Sequence, residues 1–277
     1  MTPRLMARAD LDRALDWAAG EGWNPGRDDA AQFLAADPHG FLVVDDPSGA
    51  PAASISIVRV GAARFFLGLF ICRPDLRGQG YAGPLWRAAM DRAGEGAVGL
   101  DGVVAEQERY VMQGFAATHR TVRFAGRAPS RPPAGSEPVT ATDLDAIAAL
   151  DGEATGFARP SFVRRWMTSG SGRHVRVVRR AGRPVAAGVM RSCREGWKIG
   201  PLLAREADAA AAVLSDLAAL AGEAPIMLDA PEDVGGAADL ARGLGLAPVF
   251  EVARMWKGPP PRRGPNMEFG VATLELG

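Results

Sequence analysis

Two glycines set around a glutamine raise the first chemical question. The stretch RPDLRGQGYA, Arg73–Ala82, carries Gly78 and Gly80 where an apolar run gives way to a helix-like segment. Glycine takes φ/ψ values denied to other residues and exposes its N–H with no Cβ in the way. Consecutive inward-facing N–H groups followed by a helix N-terminus make an anion site that suits a pyrophosphate. The same glycines serve a purely steric strand-to-helix turn, and the loop alone does not choose between the two. G-x-x-x-x-G-K-[ST] does not occur in this stretch. His39, His119 and His174 show no ligand spacing, so no metal site is expected. Cys72 and Cys193 lie far apart in apolar, strand-like segments and read as buried thiols of a reducing compartment.

The elements that must position the loop occur twice. GRAPSRPPAGSEP, Gly126–Pro138, is rich in Pro, Gly and Ser, lacks apolar periodicity and reads as a linker. On either side the same pieces follow in the same order, offset by about 130 residues, the mark of an internal repeat. The helix start ADLDRALDWAA (Ala9–Ala19) answers to TDLDAIAALDG (Thr142–Gly152). The hairpin Gly40–Val58 answers to His174–Met190, and FFLGLFI (Phe65–Ile71) to WKIGPLL (Trp197–Leu203). AVGLDGV (Ala97–Val103) answers to PIMLDAP, and Tyr110–Phe124 to Leu240–Trp256. Each copy reads helices, β-hairpin, strand, helix, strand, helix, strand, strand: a mixed α/β unit with a sheet covered by helices. In the first copy the helix after the loop begins near Gly80, with Leu85, Ala88 and Ala89 on one face; in the second it spans Glu206–Gly222. The expected ranges are 1–126, a linker at 127–138, 139–258, and a tail at 259–277 that adds a strand, with the first copy as one place for it to pack.

The bulk composition fits a globular protein, with 47% hydrophobic and 23% charged residues. Lys plus Arg equals Asp plus Glu, at 32 each, so there is no electrostatic footprint for nucleic acid or an anionic membrane. No signal peptide opens the chain and no apolar run approaches the roughly 18 residues of a span, so the expected location is the cytoplasm.

RGQGYA, Arg77–Ala82, resembles the [QR]-x-x-G-x-[GA] acetyl-CoA loop of the Gcn5-related N-acetyltransferases (GNAT), and LFICRPDL, Leu69–Leu76, resembles their fourth strand and entry turn. YVMQGF, Tyr110–Phe115, matches their Y-x-x-x-G-F at the end of the fourth helix. The resemblance covers nearly the whole chain as two tandem copies, each a mostly antiparallel twisted sheet flanked by helices. The ending FGVATLELG also resembles the tail of a two-domain subgroup. The resemblance implies acetyl-CoA as cosubstrate and a small-molecule amine as acceptor. It implies that the N–H groups of Arg77, Gly78, Gln79, Gly80, Tyr81 and Ala82 bind the pyrophosphate. It implies that Leu69, Phe70 and Ile71 pair with the pantetheine arm where the fourth and fifth strands splay. It gives Tyr110 the role of general acid toward the departing thiolate. An attacking amine must lose a proton, and among Asp101, Glu106 and Glu108 the first is the favoured base, at the end of the fifth strand. Val103 stands where many members carry an Asn that helps hold CoA.

The second copy departs from this pattern. After WKIGPLL there is no glycine pair, Glu206 and Asp208 would meet a pyrophosphate with like charge, and Ala241 or its neighbour stands at the tyrosine position. This copy is expected to bind no CoA and to complete the acceptor pocket or support the first, with Arg159 and Trp166 as residues that could face the pocket. A fused pair can replace a homodimer, so monomer and homodimer both stay open. An acyl-CoA sensor without turnover is the alternative to an enzyme.

Overall fold

The computed structural model describes residues 1–170 and 172–277. The first copy runs β1 (Arg4–Leu5), α1 (Arg8–Gly20), α2 (Asp29–Ala36), β2 (Phe41–Asp45), β3 (Pro51–Gly61), β4 (Arg64–Cys72), α3 (Ala82–Ala93), β5 (Ala97–Val103), α4 (Gln107–Met112) and β6 (Ala116–Gly126). The second runs β7 (Glu137–Pro138), α5 (Leu144–Thr155), α6 (Pro160–Trp166), β8 (Arg173–Arg180), β9 (Arg183–Ser192), β10 (Trp197–Ala204), α7 (Ala207–Leu220), β11 (Ile226–Pro231), α8 (Ala237–Gly243) and β12 (Ala247–Lys257). The tail adds β13 (Glu268–Gly270).

Local chemistry accounts for many of these limits. In α1 the Asp10 carboxylate accepts from the Ala7 N–H at 2.8 Å, and Leu11, Ala14, Leu15 and Ala18 recur at helical spacing to bury one face. In α3 the buried face is Leu85, Ala89 and Ala93, with Ala88 only half-buried. The β2–β3 turn is tied by the Asp46 carboxylate, which takes the N–H groups of Ser48 and Ala50. The β8–β9 hairpin turns on Ala181 and Gly182, both at positive φ, which matches the right-handed twist of its strands.

All strands join one thirteen-stranded sheet in the order β1-β2-β3-β4-β5-β12-β6-β11-β10-β9-β8-β7, with β13 paired to β10. This order is pseudo-twofold about the β12–β6 pair. The two copies have exchanged their last strands: β12 lies against β5, and β6 lies against β11. Only one strand follows the fourth helix of each copy, where two are expected from the sequence, because the neighbouring place is filled by the other copy. The cores follow the same plan. One apolar cluster lies under α3 and another under α7, while a third joins Leu11, Phe33 and Leu69 to Ile147, Trp166 and Leu203, so both copies share it. Burying side chains of this size contributes about 1.5–3 kcal/mol each. The linker is held as well, since the Asp216 carboxylate of α7 accepts from the N–H groups of Ala134 and Ser136.

Beyond β13 the tail crosses back to the first copy. A Cβ on Gly200 would collide with the Val271 carbonyl, and one on Gly68 would lie 2.5 Å from the Glu275 carbonyl oxygen. These two glycines hold matching places in β10 and β4, and each admits the tail at close range. The added strand therefore forms on the second copy, and it is the last residues that pack against the first. Among the described residues no helix is long and apolar enough to cross a membrane.

Candidate active site

A cleft of about 840 Å³ opens where β4 and β5 part. The two strands run parallel and pair from Arg64–Ala97 to Leu67–Leu100, and no pair follows. Leu69, Phe70 and Ile71 line the cleft past this fork, so their edge of β4 has no strand beside it. Open backbone groups in a half-buried slot call for amide partners. A bulge marks the fork. Ser56 faces Gly68 and Ser54 faces Ile71, so β4 carries one residue more than β3 between these pairs. Leu69, fully buried, takes φ +46, a conformation costing about 1–3 kcal/mol for a non-glycine residue. The Ser54 hydroxyl donates to the Leu69 carbonyl at 2.7 Å and holds the bend. Nothing in the amino-acid pattern of β4 announces this bulge.

The glycine loop sits at the open end of the slot. Gly78 and Gly80 lie at φ +77 and +88 with open space around them, so backbone conformation is what requires them. The N–H groups of Arg77 and Gln79 turn to the carbonyls of Pro74 and Leu76, at 3.4 and 3.3 Å. Those of Gly78, Gly80, Tyr81 and Ala82 find no acceptor among the described residues. The amides left open are thus a subset of the six read from the sequence, beside the first turn of α3, which starts at Ala82 rather than near Gly80. The side chains set the frame: Gln79 donates to the Asp75 carbonyl at 2.9 Å, Arg77 pairs with Glu21 across the mouth, and Tyr81 is buried against the core of the first copy.

Tyr110 reaches the cleft from α4. Gly114 at φ +86 ends that helix and lets the Phe115 N–H close on the Tyr110 carbonyl at 3.0 Å. The phenol ring packs on Trp86 and Phe115 and lies over Gly102, where a Cβ would press on the ring at 3.2 Å. Its hydroxyl forms no hydrogen bond among the described residues. Burial pushes its pKa up to about 12, with the Glu106 charge adding and Arg109 opposing. The phenol is therefore neutral at physiological pH and available as a donor.

Asp101 also lines the cleft, but its carboxylate is committed. Both oxygens accept from Arg254 of β12, at 2.7 and 2.9 Å, and the side chain is fully buried. Burial raises its pKa against the pull of Arg254. A base needs a free lone pair toward the acceptor, and this one would have to break a buried ion pair to supply it, so Asp101 is corrected to a residue that joins β5 to β12. Glu106 pairs with Arg109 at the surface and Glu108 lies exposed in the first turn of α4. Val103 lines the cleft wall. Trp166 is buried and donates to the Gly200 carbonyl, while Arg159 is held bidentately by Asp151 and by the last two carbonyls of the chain; neither lines this cleft. Cys193 is buried, whereas Cys72 is only half-buried and lines the cleft; burial pushes both thiols up. No cluster of metal-binding side chains occurs among the described residues.

Sequence reasoning missed the contributions from beyond the linker. Phe250 and Val252 of β12, and Leu274 and Glu275 of the tail, line the cleft of the first copy. Strand exchange and the tail crossing bring them there, and neither leaves a local signal.

In the second copy β10 and β11 also pair in parallel and part after Ile199–Leu228, and β10 bulges against β9 at the same place as β4 against β3. Here β13 fills the gap, pairing with Leu202 and Leu203, the counterparts of Phe70 and Ile71. The Ala204 N–H donates to Met267 and the Val271 N–H to Asp229, at 2.9 Å each. The strand-to-helix loop shrinks to Arg205–Glu206. Glu206 and Asp208 turn outward to Arg180, so shortening and filling, more than like charge, close this copy. Ala241 is confirmed opposite Tyr110, with the Leu246 N–H on its carbonyl and Gly245 at φ +77.

A parallel strand pair that forks beside a glycine loop and a donor tyrosine defines a class of acyl-transferring enzyme. The family model described as acetyltransferase (GNAT) family matches residues 8–113, and that of an acetyltransferase (GNAT) domain matches 147–269. A holothin acyltransferase of Pseudoalteromonas sp. (strain SANK 73390) is 29% identical over 271 residues, covering 95% of this chain and 90% of that protein. A solved structure from Pyrococcus horikoshii assigned to the acetyltransferases superposes with a TM-score of 0.82 at 18% identity, covering 99% and 95% of the two chains. A GCN5-related N-acetyltransferase from Sphaerobacter thermophilus gives 0.64 at 17% identity, covering 95% and 96%. The chain belongs to the Gcn5-related N-acetyltransferase superfamily as a tandem two-domain member, and it is an acyltransferase.

Proposed function

We propose that the chain transfers an acetyl group from acetyl-CoA to the amine of a small molecule, by direct attack in the first copy's cleft. The observation that carries this reading is the free run of N–H groups at Gly78 and Gly80–Ala82 at the open end of an unpaired strand edge. The loop suits a pyrophosphate, the edge of Leu69–Ile71 suits an amide-bearing arm, and the fork suits the thioester. Tyr110 donates its proton toward the departing sulfur. With its pKa near 12, well above a thiol's roughly 8.5, it stabilises developing charge as a hydrogen-bond donor before any transfer is complete. Trp23, Phe250, Val252 and Leu274 give the rest of the cleft apolar walls, which suit an acceptor with an apolar body. A relative named for holothin supports a small-molecule acceptor. The ranges 1–126 and 139–258 are proposed as the domains, and two free thiols fit a cytoplasmic setting. Thiol release from acetyl-CoA across a panel of primary alkyl and aromatic amines tests the reading. Amine-dependent release is expected, and CoA binding without release would favour a sensor, the reading for which Val103 and the engaged Asp101 speak.

A further inference from the structure

We propose that Glu275, carried in by the C-terminal tail, is the general base that takes the proton from the acceptor amine. This rests on the acyl-transfer reading above. Four carboxylates line the cleft: Glu21, Asp101, Glu106 and Glu275. Glu21 is held by Arg77 of the glycine loop. Asp101 gives both oxygens to Arg254, and Glu106 pairs outward with Arg109. Glu275 is the one whose carboxylate is buried and has no ion pair among the described residues. It is 3% exposed, its Oε2 accepts from the Thr273 hydroxyl, and neither an ion pair nor a hydrogen bond from the described residues reaches Oε1.

Its position along the slot fits the task. The Glu275 backbone crosses Gly68 so closely that a Cβ there would clash at 2.5 Å. Gly68 directly follows the last β4–β5 pair, at the apex of the fork, and directly precedes the bulge at Leu69. On the acyl-transfer reading, a thioester whose diphosphate lies on the Gly78–Ala82 loop runs along the slot toward this apex. The groups around the Glu275 charge are Asp101 of β5, Arg123 of β6 and Arg191 of β9, which feel it, with Tyr110 of α4 on the same cleft.

The neutral amine nitrogen attacks the acyl carbon, and a C–N bond forms. Collapse breaks the C–S bond, and its electron pair leaves on sulfur, which receives the proton of Tyr110. The surplus proton on nitrogen goes to Glu275, and solvent exchange returns both side chains to their starting states. The second copy has a part in this: β13, locked into its slot, fixes the point from which the tail reaches the fork.

The test uses the full chain and an amine that the wild type turns over. Glu275→Gln should lower kcat about 100-fold or more and erase the acidic limb of kcat/KM, while the acetyl-CoA-dependent rise in melting temperature persists. Thr273→Val keeps the carboxylate but removes a donor that favours its ionised form, so the acidic limb should move to higher pH. Unchanged turnover and an unchanged limb in Glu275→Gln would overturn the assignment. Should that variant not fold, a limb that stays in place in Thr273→Val would overturn it. A wild type that binds acetyl-CoA but releases no thiol with any amine would instead remove the reading on which it rests.

Discussion

The two slots of this molecule differ in what fills them. Both copies fork a parallel strand pair beside a β-bulge. In the first the fork is open, a long loop from Arg73 to Tyr81 leads to α3, and a tyrosine faces the gap. In the second the chain's own tail lies in the fork as β13, the loop is reduced to Arg205–Glu206, and alanine replaces tyrosine. The comparison teaches that a fork is a general cost of this fold, since it leaves backbone groups unpaired, and that it is met either by a ligand's amides or by a strand.

The comparison can be broken from either side. On the filled side, Phe269→Ala empties a buried position of β13 and should cost about 3–5 kcal/mol in urea unfolding, without changing acetyl-CoA affinity. A loss of affinity with no loss of stability would mean that the tail belongs to the open slot instead. At the seam, Asp101→Asn leaves Arg254 buried without its partner and should cost about 3–5 kcal/mol. If stability is intact and only turnover collapses, the carboxylate is the base after all. On the open side, Tyr110→Phe should lower turnover about 100-fold while acetyl-CoA still binds. Ultraviolet titration adds the sign: the phenol pKa is raised in the fold, so Tyr110 should ionise near pH 12, and stability tied to it should fall as pH rises from about 10 to 12. The smallest effect belongs to Glu206→Gln with Asp208→Asn. Both residues pair with Arg180 at the surface, so the pair should change stability by less than about 1 kcal/mol and create no second acetyl-CoA site.

How far the sequence is legible depends on the range of the interaction. The repeat, the hairpin turns and the glycine loop were readable because each is set by residues close in the chain, as with Asp46 in its turn or Gly78 and Gly80 at positive φ. The place of Tyr110 at its helix end was readable with them, since Gly114 and Phe115 shape that end. The strand exchange was not, because no local pattern in β6 or β12 says which neighbour each one takes. The Asp101–Arg254 pair depends on that exchange and so was hidden with it. Glu275 was hidden for the same kind of reason: its place comes from a tail that runs from Gly200 to Gly68, two glycines whose purpose is visible only once both strands are built.

The central claim is that one slot of two is open to the cosubstrate. Calorimetric titration of acetyl-CoA into the full chain, and into Gly80→Glu, tests it most directly. The account predicts one site per chain in the wild type, and its loss when a carboxylate side chain is set at the φ +88 position of the loop. Two sites per chain, or one site that survives Gly80→Glu, would contradict it.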